Sequence, residues 1–478
     1  MGHSIHSSGR SDIPQESASV LRRQKWPAGS IQVLSAVPGR SVMRGNVSAS
    51  RNAVPDAESR EECARDLYDL ARRLRVGHEH SRAGLNLVPS ENRLSPLAQM
   101  PLQLDFYNRY FFNEDHDPGF WQFRGGEGIA DIETDVAHSS LSALADAPFV
   151  NLRPVSGLSA MIIAISGLGG ATGSTVVCVA PESGGHYATA SVIRRFGYLP
   201  ATVAVEAGGV DLDGLRQILA SQKVSLVYLD LQNSLHLLDV AAVAACLAEH
   251  SPDTLLHVDA SHTLGLVLGG VVPNPLDLGA TSWGGSTHKS FPGPHKGVLF
   301  TRLPHVRRLI KDAQFVLLSS HHFAATLSLG LAAREFQHFG PAYARQVVIN
   351  ARRLGAELSE RGFEVARSGD GITDNHQIWV DVGDEGTTNK LSAALAEAGV
   401  RVNILPDMPG FSRPVFRLGA NEVTFEGASE TSMGLIAEAF EAARDGAVDS
   451  AAKTAVEARR SFGDPYFFPD PEASSADR

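Results

Sequence analysis

From about Val150 onward, short apolar runs alternate with stretches of helical spacing. The runs Thr175–Ala180, Ala201–Val205, Val224–Leu229 and Thr254–Val258 are short, β-branched and bounded by polar residues, which predicts buried strands. Between them Leu158–Gly167, Tyr187–Phe196 and Leu212–Ser221 place apolar residues at helical intervals. Strand–helix alternation at this rhythm predicts an α/β fold, a mostly parallel sheet with helices on both faces. Such sheets bind ligands at the carboxyl ends of their strands. Upstream, Leu67, Leu70 and Leu74 give Glu62–Arg75 a helical pattern that opens the folded part. After Leu303 a helical stretch leads to a second region, from about Pro341 to Gly446. There the expected strands Ile378–Val382 and Val415–Leu418 lie beside the expected helices Thr388–Ala398 and Ser429–Arg444, a smaller α+β arrangement.

Composition narrows the setting. Hydrophobic residues make up 43% of the 478 and charged residues 20%, as in a globular protein with a substantial core. A net charge of -11 argues against a nucleic-acid partner or an anionic membrane surface. Cys63, Cys178 and Cys246 fall in no metal-ligand or disulfide pattern, which suits a reducing compartment. No apolar run approaches the roughly 20 residues of a membrane helix, so a cytoplasmic protein is expected. Residues 1–60 are rich in Ser, Arg, Gly and Pro and lack periodicity. They are expected to be disordered, or in part to follow from an upstream start codon, with Met43 as an internal start. Their basic excess leaves a transit peptide as the alternative.

Candidate chemistry gathers at the predicted strand ends. Lys289 follows an apolar segment, is flanked by Ser286, Thr287 and His288, and precedes a Gly/Pro turn. A lysine in a cramped, desolvated place loses its proton more easily and becomes a nucleophile toward aldehydes. The alternative is an ordinary loop lysine. Pro154-Val-Ser-Gly-Leu-Ser-Ala160 runs into an apolar helix, so Ser156 and Gly157 offer either a plain N-cap or an anion cradle. His257-Val-Asp259-Ala-Ser-His262 has the outline of a metal site, with no further ligand cluster elsewhere to complete it. Asp259 serves equally as a buried carboxylate that keeps a ring nitrogen protonated. Gly184 and Gly185 form a tight turn before His186, a structural histidine or one placed at the strand ends. Arg417, flanked by apolar residues, needs an anion: an internal carboxylate or a ligand's.

As a set, in this order and spacing, Asn86-Leu-Val-Pro-Ser-Glu-Asn92, Gly184-Gly-His186, Asp259-Ala-Ser-His262, Thr287-His-Lys289, Thr373-Asp-Asn-His376 and Arg417-Leu-Gly419 resemble the serine hydroxymethyltransferase family of pyridoxal-phosphate enzymes. The resemblance runs from about Leu74 to Gly427. It implies an aspartate-aminotransferase-like fold, with a large, mostly parallel sheet domain and a smaller α+β C-terminal domain, in a homodimer with shared active sites. The implied organisation is an N-terminal extension 1–60, a segment with a subunit-contact loop 61–150, a large cofactor domain 151–335, a small domain 336–460 and a tail 461–478. Lys289 would form the Schiff base with pyridoxal 5'-phosphate, Asp259 would pair with the ring nitrogen, and His262 would lie near the ring hydroxyl. His186 would stack on the ring, while Ser156, Gly157, Thr287 and His288 would hold the phosphate side. Arg417, with Ser90, would bind the amino-acid carboxylate, and Tyr110 would reach into the neighbouring subunit's site. No metal is implied.

Departures from the family pattern redirect the expected activity. Counted from Tyr110, the glutamate that serves the family's folate-dependent step is replaced by Phe112, which puts tetrahydrofolate in question. Glu114 is the carboxylate that a shifted loop would bring instead. The segment near Ser319-Ser-His-His322 lacks the family's Gln-Gly-Gly, and Ala420-Asn-Glu422 replaces Thr-Pro-Ala. Thr287-His-Lys289 followed by Pro292-Gly-Pro294 and Lys296-Gly297 resembles the L-threonine transaldolase branch. Such enzymes move the glycyl unit of L-threonine onto an acceptor aldehyde, giving a β-hydroxy-α-amino acid and acetaldehyde, in nucleoside or other antibiotic biosynthesis. The alternatives are a folate-dependent serine or α-methylserine hydroxymethyltransferase, a threonine-type aldolase and a binding protein without turnover. Arg124, Trp121 and Phe120 are the positions at which acceptor choice is expected.

Overall fold

A computed structural model describes residues 57–469, apart from Ser319, His321, Ser368 and Asp370. The expected disordered extension up to residue 56, the end of the tail and two positions of the Ser319–His322 segment lie outside the described residues. The chain divides between Leu74 and Arg75, and all that bears on the site belongs to the second unit. The opening helix α1 (Ala57–Ala83) is longer than its leucine spacing predicts, and Leu67, Leu70 and Leu74 on it are exposed.

The large sheet contains seven strands: β1 (Phe149–Asn151), β2 (Thr175–Val179), β3 (Leu199–Val203), β4 (Val224–Asp230), β5 (Leu255–Asp259), β6 (Ser282–Ser286) and β7 (Gly297–Thr301). Their spatial order is β1-β7-β6-β5-β4-β2-β3. β7 runs antiparallel to both its neighbours, and the other pairings are parallel. Separate apolar clusters cover the two faces, one around Val177, Val227 and Leu256 and the other around Val176, Cys178 and Tyr228. Burial on both faces explains why these strands read as continuous apolar runs rather than alternating ones.

The helix α2 (Gly157–Leu168) follows β1 and starts at a capping box between Ser156 and Ser159. A short helix α3 (Thr189–Arg195) follows the His186 turn. The longest helix, α4 (Phe323–Glu360), runs through Pro341 and contains the boundary expected at 335/336. It leads to a four-stranded antiparallel sheet of β8 (Glu364–Val365), β9 (Gln377–Asp381), β10 (Asn403–Leu405) and β11 (Val415–Gly419), in the order β8-β9-β11-β10. Helices α5 (Glu385–Glu397), α6 (Glu430–Arg444) and α7 (Val448–Arg460) share a second core with this sheet. The carboxyl ends of β4, β5 and β6 therefore face a space to which the second sheet contributes through the Thr373–Gln377 segment. Asn375 there donates to the Ser234 carbonyl at 2.9 Å, and Gln377 to the Gln232 carbonyl at 3.0 Å.

Candidate active site

Five of the residues singled out from the sequence line one cavity: Lys289, His186, Asp259, His262 and Gly157. Asp259 ends β5. Its Oδ2 accepts from the Tyr228 hydroxyl at 2.7 Å, and its Oδ1 accepts from the Ser261 N–H at 2.9 Å and the Ser261 hydroxyl at 2.5 Å. Three donors on one carboxylate favour its ionised form. Gly285, at φ 144°, makes this possible: a Cβ there would lie 2.6 Å from the Ser261 nitrogen. Tyr228 remains a donor, because burial and then Asp259 hold its phenol well above the usual range.

Lys289 emerges just past β6. Burial draws its ammonium down to about 8; Asp259 pulls upward and Arg417 pushes downward. Its own carbonyl accepts from Asn92 Nδ2 at 2.7 Å and from Asn421 Nδ2 at 3.3 Å, so the peptide carrying the amine is pinned from two sides. Tyr343, buried on α4, donates to the next carbonyl, that of Ser290, at 2.9 Å.

At the start of α2, where the sequence left a plain N-cap or an anion cradle open, the Ser156 hydroxyl caps the helix, accepting from the Ser159 N–H at 3.0 Å. Only glycine fits at 157, since a Cβ would stand 2.0 Å from the Ser286 hydroxyl oxygen. The first N–H groups of a helix have no partner within it and favour negative charge. His288 is nearby in sequence to this Ser286, and its buried Nδ1 has no hydrogen-bond partner among the described residues. Burial, then His295 and Lys289, hold the His288 ring neutral, with a pKa of about 3. Thr287 is different. Its hydroxyl donates to the Pro294 carbonyl at 2.6 Å and accepts the Lys296 N–H at 3.2 Å, so it folds its own turn.

His186 donates its backbone N–H to Asp230 Oδ2 at 3.2 Å, and its Nδ1 accepts from the Ala188 N–H at 3.2 Å. Burial lowers its pKa, so the neutral ring carries its proton on Nε2. His262 lies 3.4 Å from His376, whose Nε2 is also 3.2 Å from the Pro89 carbonyl. Both rings are held neutral by burial.

Arg417, on β11, is 3% exposed. It donates to Asn233 Oδ1 at 2.7 Å, to the Gln232 carbonyl at 3.4 Å and to Asn403 Oδ1 at 3.2 Å. Every one of these partners is neutral. Burial lowers its pKa only to about 10, so it stays charged, and a buried cation paired with no carboxylate among the described residues favours the approach of an anion. The internal ion pair left open by the sequence is thus not what Arg417 makes among the described residues.

Ser90 and Tyr110 are not among the residues lining this cavity. Ser90 sits in the turn after Pro89, and it is Pro89 that packs beside Gly419. Tyr110 is on the surface, with its ring 5.8 Å from Phe112 and 5.0 Å from Phe123. Glu114 is ion-paired with Arg153. Of the positions expected to choose an acceptor, Arg124 pairs with Glu127 at 2.9 Å, Trp121 packs on Phe111 and His116, and Phe120 is exposed. His257 of the metal-like motif bonds Ser282 at 2.8 Å and stacks on Tyr228. Among the described residues no three His, Cys, Asp or Glu side chains gather as metal ligands would.

Sequence reasoning missed Asp230, Asn421 and the partners of Arg417. Asp230 carried a readable signal, since it closes the apolar run of β4 as Asp259 closes that of β5. The pairing of Asn421 with Lys289, 132 residues away, left none.

Known proteins share this arrangement of elements. The family model described as serine hydroxymethyltransferase matches residues 65–440. An L-threonine:uridine-5'-aldehyde transaldolase of a Streptomyces species is 55% identical over 405 residues, spanning 84% of this chain and 98% of that protein. A protein of the same description from an Amycolatopsis species is 54% identical, over 85% of this chain and 98% of its own. The crystal structure of an L-threonine transaldolase from Pseudomonas fluorescens matches with a TM-score of 0.77 at 25% identity, covering 88% of this chain and 98% of that one. With its strand-end lysine, aspartate and histidines set on this sheet, and with the match extending over most of its length, the chain belongs to the serine hydroxymethyltransferase family.

Proposed function

We propose that this protein is a pyridoxal-phosphate-dependent transaldolase that transfers the glycyl unit of L-threonine to an acceptor aldehyde, of the nucleoside type named for its relatives, uridine-5'-aldehyde. When bound, pyridoxal phosphate supplies an electron sink for cleavage and formation of the bond between Cα and Cβ. The residues present suit that group. Lys289 offers an amine that is partly unprotonated near neutral pH, Asp259 a carboxylate held by three protein donors for a protonated ring nitrogen, and the α2 start with His288 a set of donors for phosphate. Arg417 binds the amino-acid carboxylate. His186 carries its proton on Nε2 and so donates to an aldehyde oxygen. Tyr110 belongs to the partner's site in a homodimer, a role supported by its exposure within an aromatic surface patch. A cytoplasmic setting fits three free cysteines, and no helix of the described residues is long and apolar enough to cross a membrane.

The observation that carries the reading is a contrast within one chain. The amine, the ring-nitrogen partner and the carboxylate-binding arginine are kept, whereas the position that serves the folate step is Phe112, and the neighbouring Glu114 is engaged by Arg153. The test is acetaldehyde release from L-threonine by purified protein, with and without uridine-5'-aldehyde and other aldehydes, beside an assay with serine and tetrahydrofolate. Acetaldehyde together with a new β-hydroxy amino acid is expected. Folate-dependent glycine formation from serine, with threonine inert, would overturn the reading.

A further inference from the structure

A second carboxylate stands beside Asp259. Asp230 ends β4 where Asp259 ends β5, and the two residues are paired in register across adjacent parallel strands, so both side chains leave the same face. Asp230 is 3% exposed and lines the cavity of Lys289 and His186. Its two oxygens are in different circumstances. Oδ2 accepts from the Thr189 hydroxyl at 2.5 Å and from the His186 N–H at 3.2 Å. Oδ1 is buried and has no hydrogen-bond partner among the described residues.

Two carboxylates side by side in a buried space do not both ionise, because like charges there repel strongly. The hydrogen bonds decide which one keeps the charge. Asp259 holds three donors, one from the backbone, and is the anion. Asp230 therefore takes the proton. The His186 N–H is a fixed donor to Oδ2, whereas the Thr189 hydroxyl, which also lies 3.8 Å from Met161 Sδ, can turn; Oδ1 has no donor pointing at it and is the oxygen on which the proton meets no competing N–H. We propose that Asp230 is a neutral carboxylic acid whose Oδ1–H donates a hydrogen bond to the ligand bound in the Lys289 cavity. This rests on the reading of that cavity as the place where cofactor and amino acid bind.

The surroundings agree. Burial first, and then Asp259, push the Asp230 carboxyl up to about 7, against the downward pull of Thr189 and His186. From the strand on its other side Cys178 faces it, with a thiol pushed up to about 12, and from its own strand Tyr228, which stays protonated. His186, from the turn before α3, is neutral. None of these supplies a positive charge that would draw the proton off. Lys289, across the cavity, is the other group that titrates near neutrality. As pH rises through about 7 the donor at Oδ1 is lost and a second negative charge appears beside Asp259.

D230N is the decisive variant, because an amide keeps the acceptor for Thr189 and His186 and puts an N–H where the acid has O–H. D230A leaves both donors unpaired. For the holoenzyme, the carboxylic-acid carbonyl stretch in a wild-type minus D230N infrared difference spectrum is expected at low pH and is expected to fade as pH passes about 7. Turnover of D230N should lose the decline that wild type shows above neutrality and should exceed that of D230A, which should fall by about tenfold or more. Absence of the acid band below neutral pH would overturn the proposal, as would a D230N enzyme impaired like D230A or, where D230A does not fold, impaired tenfold itself. The infrared measurement needs no substrate, so it decides the protonation of Asp230 even if threonine proves not to be turned over.

Discussion

Two lysines in the turn after β6 are desolvated, and their surroundings make them opposites. Lys289 has Asp259 within reach and a cavity in front of it, so its lowered pKa of about 8 leaves an amine open to a ligand. Lys296, seven positions on, is 0% exposed, and its Nζ has no hydrogen-bond partner among the described residues. Burial draws its pKa from 10.5 to about 7, with Glu133 pulling up and Arg153 pushing down. Between those two values the unfolded chain holds a proton that the folded chain lacks, so this group makes stability rise with pH through that window. Below about 7 its full penalty is present, of the order of a few kcal/mol. Lys296→Met removes the charge at similar volume and leaves Glu133 paired with Arg153 at 2.9 Å. The variant should unfold at a higher temperature than wild type, with a larger gain near pH 6 than near pH 9. Equal unfolding temperatures at the acid end would show that Lys296 is held by a partner after all.

At the scale of elements, what positions the amine is a clamp between distant segments. Asn92 from the segment after Asn86 and Asn421 from beyond β11 both donate to the Lys289 carbonyl, and Asn421 also donates to the Glu91 carbonyl. Glu422 beside it accepts from Asn86 at 2.8 Å and pairs with Arg93 at 3.5 Å. Asn421→Ala would leave buried carbonyls short of a donor, costing about 1–3 kcal/mol. Lys289 would then be less well placed, so kcat for threonine should fall more than KM changes; an unchanged kcat in a folded variant would confine Asn421 to stability. This clamp marks the limit of what the sequence discloses. Strands β2, β4 and β5 were legible because an apolar run must end where burial ends, and Asp259 marks one such end. Strand β3 begins at Leu199 rather than Ala201, since Pro200 is tolerated on an edge strand that needs few donors. Pro341 suggests a break, yet α4 continues through it; packing of Phe336, Tyr343 and Val347 into the core outweighs one lost backbone bond. Lys289, His186 and Asp259 each left an alternative open locally and stood out only as a set whose order and spacing resemble a family, whereas Asn421 and Asp230 gain meaning only when separate strands are brought together.

For the whole molecule, the decisive feature is a surface that remains uncovered. Met100, Leu104, Tyr107, Tyr110, Phe112, Phe120 and Phe123 are all exposed within one stretch of chain. Apolar side chains in such density on the surface mark an interaction site. Tyr110 lies there and not in the cavity of Lys289, so the part in the reaction proposed for it would require a second copy of the chain. In a two-fold dimer each site would then combine Lys289 of one subunit with Tyr110 of the other. Lys289→Ala and Tyr110→Phe should each be nearly inactive alone. Unfolded together and refolded, or co-expressed with different tags, they should form hybrids in which one site carries both defects and the other carries neither. Random pairing makes half of the dimers hybrid, so about one quarter of wild-type activity should return. If Tyr110 served the site of its own subunit, every site in the hybrid would hold one defect and nothing would be regained. Recovery in isolated hybrids would place the catalytic unit at the dimer, and hybrids that form but stay inactive would remove Tyr110 from the partner's site.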